Sequence, residues 1–238
     1  MNNHETNISI FLPTRSGSER VKNKNTRRFA SFEGGLLELK LNQLLKVDNI
    51  DKIILSTNED NSIKIGEKYQ KKASNLILDK RPEHLSRNDT DLVDLIKYVP
   101  TLTETDHILW THVTSPFYTS EQYDSAIEKY FSVLGKGFDS LMSVTSFKNF
   151  LWDKEEQRVI NRLTEQKWPK TQDLMDLYEV DSGIFINSRN NYINHADRIG
   201  SNPFLYVVDK ITSFDIDWED DFIIAEAIQE KLFNKQYT

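Results

Sequence analysis

One stretch near the N-terminus, residues 8–25, reads ISIFLPTRSGSERVKNKN. Its first six residues form an apolar run that predicts a buried β-strand. The loop that follows contains Gly17, the small hydroxyl residues Thr14, Ser16 and Ser18, and the cations Arg15, Arg20, Lys22 and Lys24, with Arg27 just beyond. Backbone N–H groups in such a turn can point into one concavity, and the cations supply charge for a polyanion. We interpret the loop as a phosphate site; the alternative is a solvated loop that happens to be basic.

The composition is that of an ordinary globular protein. The 238 residues are 38% hydrophobic and 28% charged, which fits one domain spanning 1–238 with a core of its own. The N-terminus lacks a signal-peptide pattern, and no apolar run approaches the ~20 residues of a membrane span. The absence of cysteine excludes disulfides and a thiol nucleophile. We expect a cytoplasmic protein that binds no membrane and, with a net charge of −7, no nucleic acid.

Apolar runs alternate with helical patterns through the first 144 residues. The predicted strands are 8–12, 52–56, 76–78, 107–111 and 138–144, and the predicted helices are 36–47, 59–72, 91–99 and 120–134. This alternation predicts a three-layer α/β fold, with a mostly parallel, Rossmann-like sheet and helices on both faces. The near-continuous Val, Ile and Leu content of the strands agrees with burial on both faces.

The alternation breaks in the segment from about 145 to 178. It is polar and weakly periodic, and it contains Trp152 and Trp168. We interpret it as an insertion or a dimerisation arm within the single domain. Beyond it, the predicted extended segments are 180–187, 205–209 and 212–217. A closing helix over 219–233 follows, with Ile224, Ile228 and Leu232 on one face.

Polar clusters follow the first four predicted strands. They occupy residues 14–25, 57–59, 81–90 and 112–116. Ligands of open α/β sheets bind beyond the carboxyl ends of the strands, so the four clusters predict one shared site. The first loop contains neither GxxxxGK[ST] nor GxGxxG, which excludes a P-loop and a dinucleotide fingerprint.

The first loop carries a resemblance to a known family. Its pattern, R-S-G-S-x-R-V-x-x-K-N, is similar to the P-A-R-x-G-S-x-R-[IVL]-x-x-K-N loop of the acylneuraminate cytidylyltransferases (CMP-sialic acid synthetases). Further matches, in the same order along the chain, are LST at 55–57, RP at 81–82 with DT at 89–90, TSP at 114–116, GIFI at 183–186 and FDID at 214–217. The resemblance implies a fold of the nucleotide-diphospho-sugar transferase type and a homodimer whose arm approaches the partner's active site.

The resemblance also implies a reaction and a site. A sugar hydroxyl would attack the α-phosphorus of CTP and release pyrophosphate. The implied nucleotide-binding residues are Arg15, Ser16, Gly17, Ser18, Arg20, Lys24, Asn25 and Arg81. Lys24 would lie on the phosphates and Arg81 at the cytosine end. Asp215 and Asp217 would hold Mg²⁺ and, with Arg15 and Lys24, form the catalytic set.

Elementary chemistry supports the metal assignment. Residues two apart in a strand project to the same face, and Mg²⁺ usually takes one or two protein carboxylates. The alternative for Asp217 is an N-cap, because it directly precedes a predicted helix and Asp is favoured there.

The acceptor side departs from the family pattern. His112, Thr114, Ser115 and Ser182 are the candidate acceptor-binding residues. The sequence HVTSP stands at 112–116 where the family has Q-P-T-S-P, and VDSG stands at 180–183 where it has R-x-N-G.

We therefore expect CMP transfer to a sialic-acid-like 2-keto sugar acid (a nonulosonic acid), in surface polysaccharide biosynthesis. Two alternatives remain open. One keeps CTP with another acceptor: a different sugar acid, a sugar phosphate or a phosphonate. The other is a catalytically silent nucleotide-binding protein.

Overall fold

The computed structural model describes residues 7–17 and 20–233. Its strands are β1 (Ile8–Pro13), β2 (Lys52–Thr57), β3 (Leu76–Lys80), β4 (His107–Trp110), β5 (Ser140–Phe147), β6 (Trp152–Asp153), β7 (Arg158–Val159), β8 (Leu177–Ser188) and β9 (Pro203–Val208). Its helices are α1 (Gly35–Leu44), α2 (Asp60–Gln70), α3 (Leu92–Tyr98), α4 (Ser120–Leu134), α5 (Arg189–His195) and α6 (Glu219–Ile228). Short 3₁₀ turns cover Glu83–Leu85, Val99–Thr101 and Thr171–Asp173, and α6 continues as a π-helix over Gln229–Phe233.

Seven strands form one sheet in the order β3-β2-β1-β4-β8-β5-β9. Every neighbouring pair is parallel except the two made by β8, which runs antiparallel to β4 and to β5. The prediction of a mostly parallel sheet is therefore confirmed. Of the helices in the described part of the chain, none is both long enough and apolar enough to span a bilayer.

Helices cover both faces of the sheet, as predicted. Successive residues of a strand point to opposite faces. Ile8, Ile10 and Leu12 of β1 belong to the larger core, which includes side chains from α1, α2, α4 and α6. Phe11 points the other way, into a smaller core with residues of α3 and α5. The sheet is thus the middle of three layers, and its carboxyl edge is free to bind a ligand.

The segment at about 145–178 is more regular than its sequence suggests. β5 and β8 extend into it and pair as far as Phe147 and Leu177. Between these ends, β6 and β7 form a separate antiparallel hairpin. We call residues 148–176 the arm. Its side chains include several exposed apolar residues: Phe150, Leu151, Trp152, Ile160, Leu163, Trp168 and Met175.

Two predictions near the C-terminus are wrong. The segment 212–217 contains a turn and coil rather than a strand, so Asp215 and Asp217 are not on a strand face. In the closing helix, Ile224 and Leu232 are exposed and Ile228 is half-buried against the core, while the buried positions are Phe222, Ala225 and Gln229. Phe222 determines this rotation, since its ring packs edge-on against Phe29 with ring centroids 5.3 Å apart.

Lys40 of α1 is an unexpected buried cation. Its side chain is inaccessible to solvent, and its Nζ donates to the carbonyl of Ser115 at 2.7 Å and to the Tyr123 hydroxyl at 2.9 Å. Gln43, one turn later, donates to the carbonyl of Pro116 at 2.7 Å. The two side chains anchor the loop that follows β4 to α1. Burial lowers the pKa of Lys40 to about 7.

This buried lysine predicts a pH-dependent stability. The folded state releases the Lys40 proton near pH 7, whereas an unfolded lysine keeps it to about pH 10.5. Between these values the unfolded chain binds more protons, so the free energy of unfolding rises with pH, by up to about 1.4 kcal/mol per pH unit. Urea unfolding of the wild type and of Lys40→Met should show this slope in the wild type only. The exposed Lys68→Met is the matched control, and parallel curves for wild type and Lys40→Met would contradict the prediction.

Candidate active site

The loop after β1 is tied to the neighbouring strand ends. The backbone N–H of Thr14 donates to the carbonyl of Ser56 at 3.0 Å, which continues the pairing of β1 with β2. The backbone N–H of Ser16 donates to Asn58 Oδ1 at 3.0 Å. Gly17 has φ +80°, a backbone conformation that other residues adopt only with strain. Ser18, a predicted nucleotide-binding residue, lies outside the described residues.

Arg81 connects the first three loops. Its buried guanidinium donates through Nε to Ser56 Oγ at 3.1 Å and through Nη2 to the carbonyl of Thr14 at 2.8 Å and that of Ser56 at 2.5 Å. Burial lowers its pKa to about 10, although nearby Asp79 opposes the shift. The first role of Arg81 is therefore to fix the backbone from which the loop after β1 departs.

Two further contacts close the same group of loops. The Arg15 guanidinium donates to Asn88 Oδ1 in the loop after β3. The buried Asn25 amide donates to the carbonyl of Arg15 at 3.3 Å and to Glu59 Oε2 at 3.4 Å. The predicted meeting of these loops at one sheet edge is confirmed by these bonds.

A cavity of about 540 Å³ opens at this edge. Leu92, Leu95 and Trp110 form its apolar wall. The predicted nucleotide-binding residues that line it are Arg15, Gly17, Arg20, Lys24, Asn25 and Arg81. Ser16 instead lines an adjoining cavity of about 370 Å³, together with Lys22 and Lys64. We call the larger space the first cavity. A lining that combines apolar side chains with cations suits a base carrying phosphates.

Lys24 faces the two candidate metal ligands. Its Nζ donates to the carbonyl of Ile216 at 2.6 Å and lies 4.0 Å from Asp217 Oδ1. Burial lowers the pKa of Lys24, and the charges of Asp215 and Asp217 oppose that shift. Arg20 also reaches Asp217, with Nη1 3.2 Å from Oδ1. The basic loop and the carboxylate pair, far apart in sequence, thus form one charged cluster.

Asp215 is held by the loop after β4. Ser115 Oγ donates to Asp215 Oδ1 at 3.5 Å, and the backbone N–H of Ile216 donates to the carbonyl of Thr114 at 2.9 Å. Burial and the neighbouring charge of Asp217 raise the pKa of Asp215, while a hydrogen bond from Thr114 and the charge of Lys24 act against this. The Thr114–Ser115 segment therefore supports the carboxylate directly.

Asp217 does not cap the helix that follows it. The N-cap of α6 is Trp218. The Asp221 carboxylate accepts the backbone N–H groups of Asp217 at 3.0 Å and Trp218 at 2.7 Å. The N-cap alternative for Asp217 is wrong, and its own carboxylate remains directed at Lys24 and Arg20.

The donor set fits a hard divalent cation that binds few protein ligands. Residues 7–17 and 20–233 contain no group of three or more His, Cys, Asp or Glu side chains arranged around a metal. Mg²⁺ needs only one or two protein carboxylates, because water and phosphate oxygens complete its octahedron. Asp215 and Asp217 supply such a pair; burial, with a smaller contribution from the charge of Asp217, raises the pKa of Asp215.

A second cavity, of about 590 Å³, adjoins the carboxylate pair. Asp215, Asp217, Ser182 and Phe214 line it. The remaining charged residues of its lining are Glu179, Asp181, Asp221 and Lys210. Five carboxylates and one lysine make this second cavity acidic, in contrast to the first.

The predicted acceptor-binding residues are divided between the cavities. Ser182 lines the second cavity, whereas His112 and Thr114 line the first. Ser115 is fully buried and lines neither. Its place is beneath Asp215, so a direct contact between Ser115 and an acceptor does not follow from this geometry.

Sequence reasoning missed a buried polar network beside the second cavity. The carboxylate of Asp181 accepts hydrogen bonds from Tyr118 and Ser143 at 2.5 Å each, and from the backbone N–H of Gly183 at 2.9 Å. A Cβ on Gly183 would lie 2.1 Å from the Tyr118 ring, so this position requires glycine. The sequence signal for this network is the VDSG stretch at 180–183. It contains Asp181 and Gly183, but it gives no indication that Tyr118 or Ser143 would bind them.

The family follows from comparison with known proteins. Residues 9–236 match the family model described as cytidylyltransferase, and the chain belongs to that family. It is 26% identical over 239 residues to an N-acylneuraminate cytidylyltransferase of Escherichia coli, covering 95% of this chain and 53% of the relative. It is 24% identical to a CMP-N,N'-diacetyllegionaminic acid synthase of Campylobacter jejuni, covering 93% of this chain and 94% of the relative. The chain thus spans about half the length of the Escherichia coli relative.

Solved structures agree on the fold. A CMP:2-keto-3-deoxy-manno-octonic acid synthetase complexed with CTP matches with a TM-score of 0.65 and 10% identity, over 94% of this chain and 98% of the other. A 4-diphosphocytidyl-2C-methyl-D-erythritol synthase from Anaerococcus prevotii matches with a TM-score of 0.64 and 16% identity, over 97% and 100% of the two chains. Both comparisons support the nucleotide-diphospho-sugar transferase type of fold.

Proposed function

We propose that this chain is a Mg²⁺-dependent cytidylyltransferase that transfers CMP from CTP to a nonulosonic acid and releases pyrophosphate. One observation carries the proposal: a cationic cavity and an acidic cavity meet at Lys24, Asp215 and Asp217. A two-substrate transfer needs such a junction, because the reacting oxygen and phosphorus must approach in line. The supply of CTP makes cytoplasmic residence part of the proposal.

CTP is assigned to the first cavity. The base would lie against the wall of Leu92, Leu95 and Trp110, and the triphosphate beside the cations. Arg15, Arg20 and Lys24 supply positive charge in the lining of this cavity, and Lys24 is oriented by its bond to the Ile216 carbonyl. A cation with a fixed position stabilises developing phosphate charge without reorganising during the reaction.

The transfer is a single displacement. The acceptor hydroxyl oxygen forms a bond to the α-phosphorus, the bond from that phosphorus to the bridging oxygen breaks, and pyrophosphate leaves with the electron pair. The hydroxyl proton goes to solvent. Bound at Asp215 and Asp217, Mg²⁺ would supply charge neutralisation for the phosphate oxygens. The residues around the pair (Thr114, Ser115 and Lys24) keep the two carboxylates in place.

The second cavity is assigned to the acceptor, and the charge of its lining restricts the chemical class of acceptor that can bind. The lining carries five carboxylates and Lys210, and its net negative charge would repel a doubly charged sugar phosphate or phosphonate. A sugar acid carries one carboxylate, which can pair with Lys210. Its many hydroxyl groups can donate to the carboxylates of the lining, and they can donate to or accept from the Ser182 hydroxyl. The relatives named for sialic and legionaminic acids favour a nonulosonic acid within that class.

The first test is pyrophosphate release from CTP and Mg²⁺ with a panel of acceptors. We expect release with N-acetylneuraminic acid or N,N'-diacetyllegionaminic acid, and none with a sugar phosphate or without an acceptor. Release with a sugar phosphate alone would overturn the acceptor assignment. CTP binding without release for every acceptor would instead support the silent nucleotide-binding alternative.

The second test concerns the carboxylate pair. Asp217→Asn should lower kcat by about 10²-fold or more at saturating Mg²⁺, because it removes charge that would hold the metal. The free energy of unfolding should change by less than about 1 kcal/mol, since the Asp217 pairs are half-exposed. Asp220→Asn on the exposed start of α6 is the matched control, with activity expected near that of the wild type. Equal activity of the two variants would remove Asp217 from the metal site.

A homodimer through the arm is part of the proposal. Leu163 and Trp168 are 66% and 64% exposed, and the Trp168 ring stacks on that of Trp152 with centroids 5.8 Å apart. Monomeric proteins seldom expose so many large apolar side chains in one region. A second copy of the chain is the partner proposed here, since twofold homodimers are the commonest assemblies.

Sedimentation equilibrium at micromolar concentration tests the dimer. We expect twice the chain mass of 27.8 kDa for the wild type, and a shift toward monomer for the double variant Leu163→Glu, Trp168→Glu. Ile193→Glu, on the exposed side of α5 and away from the arm, is the control and should leave the mass unchanged. A wild-type monomer would contradict this part of the proposal.

A further inference from the structure

His112 lies between the two cavities and is bonded on both sides. It follows β4 by two residues. The indole Nε1–H of Trp110 donates to His112 Nε2 at 2.9 Å. His112 Nδ1 is 2.9 Å from the carbonyl of Ser182. Trp110 lines the first cavity and Ser182 the second, so one imidazole touches a wall of each.

These bonds determine the state of the imidazole. An indole N–H can only donate, so Nε2 must be the acceptor and carries no proton. A carbonyl can only accept, so Nδ1 carries the proton. The ring is therefore neutral and in the Nδ1–H tautomer. Burial, opposed by the bond to the Ser182 carbonyl and reinforced by the positive charges of Arg198, Lys40 and Lys24, lowers the pKa of His112 to about 4. Neither ring nitrogen is left for a substrate.

Ser182 needs support at this position. Its φ is +61°, in the left-handed region that serine seldom adopts. On one side, the Asp181 carboxylate binds the backbone N–H of Gly183. On the other, the His112 Nδ1–H binds the Ser182 carbonyl. The two bonds hold a strained residue of β8 that lines the second cavity, and strained residues of this kind persist where the surroundings fix them.

We propose that His112 is a positioning residue for acceptor binding, which acts through the Ser182 carbonyl rather than by touching the acceptor, and which at the same time fixes the Trp110 indole at the nucleotide cavity. The kinetic consequences of this inference rest on the proposed function, whereas its structural consequences rest on the two hydrogen bonds alone. It also revises the direct acceptor contact expected for His112 from the sequence.

Three substitutions separate the two bonds. Asn at 112 carries an amide N–H near the place of Nδ1 and can keep the bond to Ser182 while losing that to Trp110. Gln reaches the place of Nε2 and can accept from Trp110 while losing Ser182. Phe keeps the ring and loses both. We expect His112→Gln and His112→Phe to raise KM for the acceptor by about tenfold or more, the loss of one buried hydrogen bond.

The expected pattern distinguishes positioning from a general structural role. His112→Asn should keep the acceptor KM within about threefold of the wild type, and kcat should change little in any of the three. Equal increases of the acceptor KM in the Asn, Gln and Phe variants would overturn the inference. A decrease of kcat with no change in the acceptor KM would also overturn it. An unchanged acceptor KM in the Phe variant would reduce His112 to a packing residue.

A readout without turnover keeps this test separate from that of the proposed function. Isotope-edited NMR of the histidine side chains, with the His112 signal assigned by its absence in His112→Gln, should show the Nδ1–H tautomer unchanged between pH values near 5.5 and 8, since the pKa is about 4. An Nε2–H tautomer or an imidazolium in that range would overturn the inference even if CTP transfer is confirmed. If no acceptor is turned over but the tautomer is as expected, only the proposed function fails.

Discussion

The buried fork of hydrogen bonds made by Arg81 is the constraint on which the site depends. Parallel strands bring their carboxyl ends to one edge, but they leave the last backbone carbonyls there without partners. The Arg81 guanidinium satisfies that of Thr14 and adds a second hydrogen bond to that of Ser56, which also accepts from the backbone N–H of Thr14. Because an arginine donates in a rigid, planar arrangement, it fixes the direction of the loop as well as its position. The cations of that loop are then presented to the first cavity.

The charge of the lining changes from positive to negative across the site. The loop after β1 is cationic, the junction carries Lys24 with Asp215 and Asp217, and the second cavity is acidic. The whole chain carries a net charge of −7, so the cationic region is a local exception, made by the clustered cations of the loop after β1 together with Arg81. The gradient favours a polyanionic donor on one side and an acceptor with at most one negative charge on the other.

The sequence predicts the features that depend on neighbouring residues better than those that depend on contacts between distant parts of the chain. β1, β2 and α4 follow from local apolar periodicity, and their predicted bounds lie within about a residue of those observed. The face of α6 does not, because the contact of Phe222 with Phe29 outweighs the spacing of Ile224 and Leu232. Asp215 and Asp217 meet Lys24 although the strand expected to align them is absent.

The interactions that sequence could not reveal are those between buried polar groups. Lys40 and Gln43 lie within the predicted helix 36–47, yet both bind carbonyls of the loop after β4. His112 belongs to the polar cluster predicted after the fourth strand, but its two partners lie on β4 and on β8. Such pairings depend on which strands are neighbours, and that order (β4 beside β8) is a property of the sheet rather than of any segment.

The reversed direction of β8 has a consequence for the second cavity. It enters the sheet at the ligand edge, where residues 177–180 pair with β5, and residues 185–187 pair with both β4 and β5 further in. Between these two parts the pairing with β5 shifts register, so residues 181–184 lie outside the ladder. An irregularity of this kind redirects side chains and releases backbone groups from strand pairing. The Ser182 carbonyl is therefore available to His112, and both Asp181 and Ser182 line the second cavity, where the acceptor would lie.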